Sequence, residues 1–366
     1  MSDIQKLSAP IAPGGTIGIL GGGQLGRMLA LAAARLGLKA HIYCDHADAC
    51  AFQVADARTH AAYDDQAALA KFADACDAVT TEFENIPEAT VAFLATRKPV
   101  NPNARALAIA QDRFDEKTFL LRQGLRTAHF AEVSAAEDAK AALEKTGSPA
   151  ILKTRRMGYD GKGQAKVSSV ADVQAAFEKF GRVPCILEGF VPFAFEASVI
   201  AARSANGDFA AYDPPENFHE HHILRRSTVP ARLADAQADA AKAYAEIIAK
   251  GLDYVGVLAV ELFVTDDWVM LVNEIAPRVH NSGHWTLEAC AVSQFEQHIR
   301  AVAGWPLGDP RRHCDAVMEN IIGEEANDWQ KLASRGGALH LYGKSPARPG
   351  RKMGHITRLS PMTSPR

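Results

Sequence analysis

A short apolar run, Thr16–Leu20, passes directly into Gly21, Gly22, Gly23 and Gly26, and then into an Ala- and Leu-rich stretch from Arg27 to about Leu36. A strand that turns on glycines into a helix is the start of a βαβ unit, and few other arrangements accept it. Gly37 stops the helix, and Lys39–Tyr43 reads as a second strand ending near Asp45. Asp77–Thr81 reads as another strand and Pro99–Asn101 as a short last one. Strands alternating with helices over roughly a hundred residues predict a doubly wound, Rossmann-like parallel sheet. The first fifteen residues have no long apolar core and no basic start, so they read as a loose extension rather than a signal peptide.

The spacing Gly21-x-Gly23-x-x-Gly26, with Asp45 at the end of the next strand, is the layout of a dinucleotide-binding turn. The same glycines also suit a plain strand-to-helix turn, or a loop holding some other phosphorylated substrate. This motif alone leaves an NAD-dependent dehydrogenase open.

With 366 residues, two or three packed units are expected. From about Gln111 the pattern changes. Gln111–Arg122 reads as a helix, and Ala150–Thr154 and Ala165–Ser169 as strands around a glycine-rich turn. Cys185–Glu188 and Glu196–Ala201 read as further strands, and a helix from about Leu233 to Lys250 is closed by Gly251. The tail from about Ala338 is short and rich in Pro, Gly and Arg. A net charge of −3 gives no field that would draw nucleic acid or acidic lipid, and no apolar run is long enough to span a bilayer. Six scattered cysteines, none in a C-x-x-C pair, read as reduced thiols of a cytoplasmic protein.

Two features point to polyphosphate chemistry. The turn Arg155–Gln164 carries Gly158, Gly161 and Gly163 beside cations, and Lys153 interrupts the apolar strand before it. Such a loop can contact phosphates and close as a lid, although it lacks the Walker A spacing, and a hairpin with a solvated basic tip would look similar. A lysine within an apolar strand is costly unless its ammonium meets an anion. Further on, Val255–Val264 and Trp268–Ile275 are two apolar strands that each carry one charge, Glu261 and Glu274. A reversal around Asp267 and Trp268 brings these carboxylates opposite each other, a repulsive arrangement that a divalent cation relieves. Oxygen ligands, with Asn273 alongside, favour magnesium. Each glutamate could instead meet an arginine such as Arg278. The stretch Ala276–Trp285 that follows is dense in hydrogen-bonding residues; Arg278 offers a planar fork for phosphate or bicarbonate, and His280 titrates near neutrality.

Lys153, Gly158–Gln164, Glu188–Val191, Glu261 and Asn273–Glu274 resemble the ATP-grasp superfamily. Thr80–Ile86, Arg278–His284 and Arg348–His355 narrow the resemblance to the N5-carboxyaminoimidazole ribonucleotide synthetase family of purine biosynthesis, over about Ile17 to His355. The resemblance implies a loose extension at 1–15, a pre-ATP-grasp domain at 16–110 and a two-lobed ATP-grasp domain at 111–305. Its lid lobe would span about 115–187 and its second lobe about 188–305. A small β-rich C-terminal domain, shorter than usual, would fill 306–366.

The implied activity is a carbon–nitrogen ligase that phosphorylates bicarbonate with ATP and carboxylates 5-aminoimidazole ribonucleotide, in a cytoplasmic homodimer with two magnesium ions. Arg113, Lys153, His219 and the lid Gly158, Tyr159, Asp160, Gly161, Lys162, Gly163 and Gln164 would surround the nucleotide. Glu188, Gly189, Phe190 and Val191 would face adenine, Glu196 the ribose, and Asn273 and Glu274 the metal-bound phosphates. Glu261 and Glu274 would hold magnesium. Tyr159, Lys162, Arg278, His280 and Lys352 would face the carboxylation. Gly23, Gln24, Leu25, Glu82, Asn281, Ser282, Arg351 and Lys352 would hold the ribonucleotide. Another ATP-grasp ligase of purine metabolism is the near alternative.

Overall fold

The computed structural model describes residues 7–158 and 163–363. The first sheet is parallel throughout, in the order β3-β2-β1-β4, with β1 Thr16–Leu20, β2 Lys39–Cys44, β3 Ala57–His60 and β4 Ala78–Thr81. Pro99–Asn101 does not extend it as a strand; Val100 makes a single bridge to Val79. The first helix, Gln24–Arg35, begins three residues earlier than expected, because the turn is complete by Gly23. Gly21 has φ +107°, and a Cβ on Gly21 or Gly23 would sit 2.3 and 2.7 Å from the Glu82 side chain. These two glycines let the loop close onto that carboxylate.

A second sheet of β5 Phe130–Val133, β6 Ala150–Thr154, β7 Gln164–Val167 and β8 Cys185–Gly189 is antiparallel, in the order β5-β8-β6-β7. The helices Ala139–Thr146 and Val170–Lys179 share its apolar core of Val133, Leu152, Val173 and Leu187. β6 and β7, the strands read on either side of the glycine-rich segment, pair antiparallel.

The third sheet contains β9 Phe193–Arg203, β10 Phe209–Ala211, β11 Glu216–Glu220, β12 Ile223–Val229, β13 Gly256–Thr265 and β14 Met270–Ala276, followed by β15 Asp315–Ile322, β16 Ala338–Leu341 and β17 Lys352–Ser360. Trp268, expected to open β14, lies in the turn before it with φ +64°. Because β12 pairs with β15, the C-terminal strands prolong the sheet that carries the glutamates, and the Pro-, Gly- and Arg-rich tail supplies β16 and β17. This continuity brings Lys352, the first residue of β17, toward the glutamate strands. The long helix, Asp235–Gly251, packs Ala241, Ala245 and Ile248 against β9 and β13, and it runs through Gly251 rather than stopping before it. A Cβ there would meet the Gln123 side chain at 2.6 Å, so close packing explains that glycine better than a cap does.

The N-terminal extension is not loose from Leu7 onward. Ile11 is buried, its N–H donates to the Ala303 carbonyl, and the Trp305 indole donates to the Ile11 carbonyl at 2.7 Å. All six cysteines are free thiols and five are buried. No helix among the described residues is long and apolar enough to cross a membrane.

Candidate active site

β13 and β14 pair so that Glu261 lies directly opposite Glu274. Leu262 then faces Val272, which leaves Asn273 as the extra residue of a bulge. Bulges re-aim the side chains beside them, and this one sits at the acidic pair. The carboxylates have separate protein partners: Arg113 Nη1 lies 3.0 Å from Glu274 Oε2, and His280 Nε2 lies 3.2 Å from Glu261 Oε1. Burial pushes the Glu274 carboxyl up, but the charges of Arg113, Lys153 and Lys117 outweigh it and hold the group below its usual range. Burial and then the charge of Glu274 push Glu261 up to about 7.

Burial, followed by the charges of Arg278 and Lys352, keeps His280 well below its usual value, so the ring is neutral. Its Nδ1 accepts from the Ser282 N–H at 3.4 Å, which places the hydrogen on Nε2 toward Glu261. A neutral imidazole offsets little of the repulsion. The buried Asn273 amide oxygen also has no partner among the described residues. Two facing carboxylates, with an orphaned amide oxygen on the residue next to Glu274, offer oxygen donors of the kind a hard divalent cation takes. Arg278 is not the partner of either glutamate; it forks onto Glu84, with Nη2 to Oε1 at 3.0 Å.

The anion met by Lys153 is Glu188, on the adjacent strand β8, at 2.8 Å. Lys117, buried in the helix Arg113–Arg122, lies 3.8 Å from the same carboxylate and donates to the Asn273 carbonyl. Burial raises the Glu188 carboxyl, yet Lys117 and Lys153 together bring it down to about 2. Its carboxylate is therefore aimed between two lysines, leaving backbone and neighbouring groups to face a base. Glu116 of the same helix accepts from the Ile275 N–H at 2.6 Å. The sequence reading passed over Glu116 and Lys117. One signal was available, since Glu116 stands three and four residues before the apolar Phe119 and Leu120, on the face that is buried.

Glu196 contacts His219 Nδ1, and that charge outweighs burial to raise the histidine. Phe190 is exposed, with Lys166 Nζ 4.6 Å from its ring centre; Gly189 donates to the His129 carbonyl. Gly158, whose carbonyl accepts from Arg113 Nη2 at 3.1 Å, ties the lid to the acidic strands. Arg155 and Arg156 both contact Asp112, the cap of the helix Arg113–Arg122; Arg155 is largely covered and Arg156 is exposed. Gln164 begins the return strand β7, and Gly163 lies in the turn just before it. Tyr159, Asp160, Gly161 and Lys162 lie outside the described residues.

Beside the acidic strands opens a cavity of about 490 Å³ lined by Gly23, Tyr63, Glu82, Asn85, Lys344 and Arg351, among others. Glu82 accepts from the N–H groups of Gly23 at 2.6 Å and Gly26 at 3.0 Å. A carboxylate therefore occupies the helix N-terminus where a dinucleotide would lay its pyrophosphate, and burial raises its pKa. Burial likewise pushes Lys344, not singled out from the sequence, down to about 8. A narrow cleft of about 60 Å³, lined by Glu84, Asn85, Arg113, Glu274 and Arg278, has Asn85 in common with this cavity.

Several expected ligands are placed elsewhere. Leu25 is buried in the core of the first domain. Asn281 makes a reciprocal amide pair with Asn320, and Ser282 is hydrogen-bonded to Ser198. Neither Gln24 nor these two lines the cavity. Lys352 lies close enough for its charge to lower Glu261 and His280.

A parallel N-terminal sheet, an antiparallel lid sheet and a large sheet bearing paired acids define an ATP-grasp protein. The ATP-grasp domain family matches residues 118–295, the ribonucleotide synthetase pre-ATP-grasp domain residues 15–111, and the phosphoribosylaminoimidazole carboxylase C-terminal domain residues 316–364. The N5-carboxyaminoimidazole ribonucleotide synthase of Brucella melitensis is 53% identical over 96% of this chain and 98% of its own. The Thermus thermophilus synthetase structure is 46% identical, with a TM-score of 0.88 over 94% of this chain and 93% of that one. An Aspergillus clavatus synthase solved with ADP and 5-aminoimidazole ribonucleotide is 30% identical, with a TM-score of 0.87 over 95% and 94%. The chain belongs to the N5-carboxyaminoimidazole ribonucleotide synthase family.

Proposed function

We propose that this chain is an ATP-dependent carbon–nitrogen ligase that makes N5-carboxyaminoimidazole ribonucleotide from 5-aminoimidazole ribonucleotide and bicarbonate, with ADP and phosphate as products. The observation that supports the reading is Asn85, which lines both the cavity at Glu82 and Arg351 and the cleft at Arg113, Glu274 and Arg278.

In this reading Lys153 and Arg113 hold the nucleotide phosphates beneath the lid Gly158–Gln164. Glu188, Gly189, Phe190 and Val191 flank the base, and Glu196 and His219 the ribose. Glu261 and Glu274, with the Asn273 oxygen beside them, would hold magnesium, which would supply charge neutralisation to the transferred phosphoryl group. Bicarbonate attacks the γ-phosphorus, giving carboxyphosphate and ADP. The exocyclic amine then forms the new C–N bond, phosphate departs and the amine loses a proton. His280, a neutral imidazole, and Lys352 stand beside that step, and Arg278, already planar and fixed by Glu84, orients bicarbonate. The lid with Tyr159 and Lys162 excludes water from carboxyphosphate. Lys344 and Arg351 supply positive charge for the ribonucleotide phosphate, and Gly23 and Glu82 shape its ring pocket. The enzyme acts in the cytoplasm as a homodimer.

Omitting each substrate in turn from an ADP-release assay tests the reading. ADP should appear fastest with ATP, magnesium, bicarbonate and the ribonucleotide together. Stimulation by formate in place of bicarbonate would assign the site to a different ligase.

A further inference from the structure

A second knot of titratable side chains, none of them lining either cavity and with His355 fully buried, lies where the short helix Thr286–Ala289 meets the C-terminal strands. His340 of β16 and His355 of β17 are direct cross-strand partners, and their rings stack 4.5 Å apart. Glu288 Oε1 lies 2.6 Å from His340 Nε2. One ligand atom from each of Glu288, His340 and His355 lies within 4.8 Å of the other two. His355 is fully buried with its Nδ1 2.7 Å from the Tyr342 hydroxyl, and its Nε2 has no hydrogen-bond partner among the described residues. Glu288 Oε2 is buried and unpartnered as well. Orphaned polar atoms are rare in protein interiors and costly, so two of them in one knot call for a ligand.

We propose that Glu288, His340 and His355 form a binding site for a divalent transition-metal ion of the zinc class, separate from the oxygen-lined pair at Glu261 and Glu274. Two imidazoles and one carboxylate are a nitrogen-rich donor set, which suits zinc or cobalt and not magnesium. The Tyr342 hydroxyl is the outer partner that ligating histidines use: accepting from Nδ1–H, it leaves the Nε2 lone pair of His355 for an ion. His284, packed 4.9 Å from the His355 ring, is not a ligand, because its Nδ1 accepts from Gln294 and its hydrogen is on Nε2. Stacked rings direct their lone pairs along parallel planes, so His340 must turn to coordinate. Its side chain is 34% exposed, which gives it room and gives the ion a path. An ion there would tie the helix that follows Arg278–His284 to the strands flanking Arg351 and Lys352.

The test uses tag-free, full-length protein stripped with chelator and held in excess magnesium, so that the oxygen-lined pair is saturated. Cobalt(II) should give stoichiometric visible absorption bands that zinc displaces, and zinc should raise the Tm. His340→Ala, at a partly exposed position that the fold tolerates, should abolish the bands. Tyr342→Phe should weaken cobalt binding about 10- to 100-fold. The absence of bands in the wild-type chain, or bands that persist in both His340→Ala and Glu288→Gln, would overturn the site and leave the knot as hydrogen-bonded packing around a water.

Discussion

Glu261 and Glu274 were legible as a pair because each is the one charge in an otherwise apolar strand, and the structure sets them in the same register. Their present partners were not legible: Arg113 comes from a helix far back in the chain, and of the residues that follow β14 closely His280 meets Glu261 while Arg278 turns to Glu84. Glu274→Ala is expected to lower turnover by on the order of 100-fold or more with little change in the melting curve. A near-normal rate in steady-state assays would remove the pair from the mechanism. The pH dependence follows from Glu261. Its unfolded value is 4.5 and its folded value about 7, so the folded state loses stability as pH rises across that window. A cation bound by the ionised pair restores that loss. Magnesium should therefore raise the Tm more near pH 8 than near pH 5, and equal shifts at the two pH values would contradict the assignment.

The first glycine loop shows what spacing can and cannot say about an element. Its strand–turn–helix was readable from Thr16 to Leu36, but the group at the helix N-terminus was not, because Glu82 comes from the end of β4, 59 residues beyond Gly23. Gly23→Ala would force a methyl against that carboxylate. The expected result is a roughly 10-fold or larger rise in KM for the ribonucleotide with the KM for ATP unchanged, read from initial rates. The C-terminal segment was expected to be β-rich from the resemblance, but its individual strands were not placed, for a related reason. β16 has only four residues, and the Pro- and Gly-containing segment between it and β17 masks the alternation of each. Their pairing partner, β15, could not be inferred from local pattern. The bulge at Asn273 is likewise a property of two strands in register, and neither strand reveals it alone.

For the molecule as a whole, the parallel first sheet was anticipated from the alternation of strands and helices, while the grouping of the later strands into two further sheets and the joints between the sheets were not. The N-terminal extension is one such joint, fixed by Ile11 and Trp305. Ile11→Ala is expected to cost about 2–5 kcal/mol of stability, measured by denaturant unfolding. Asn85, on the wall of both cavities, marks another, and it supports the proposal that a nucleotide site and a ribonucleotide site share one reaction. The most direct test is ADP release with ATP, magnesium and bicarbonate, measured with and without 5-aminoimidazole ribonucleotide. The account predicts a marked stimulation by the ribonucleotide; an identical rate in its absence would contradict it.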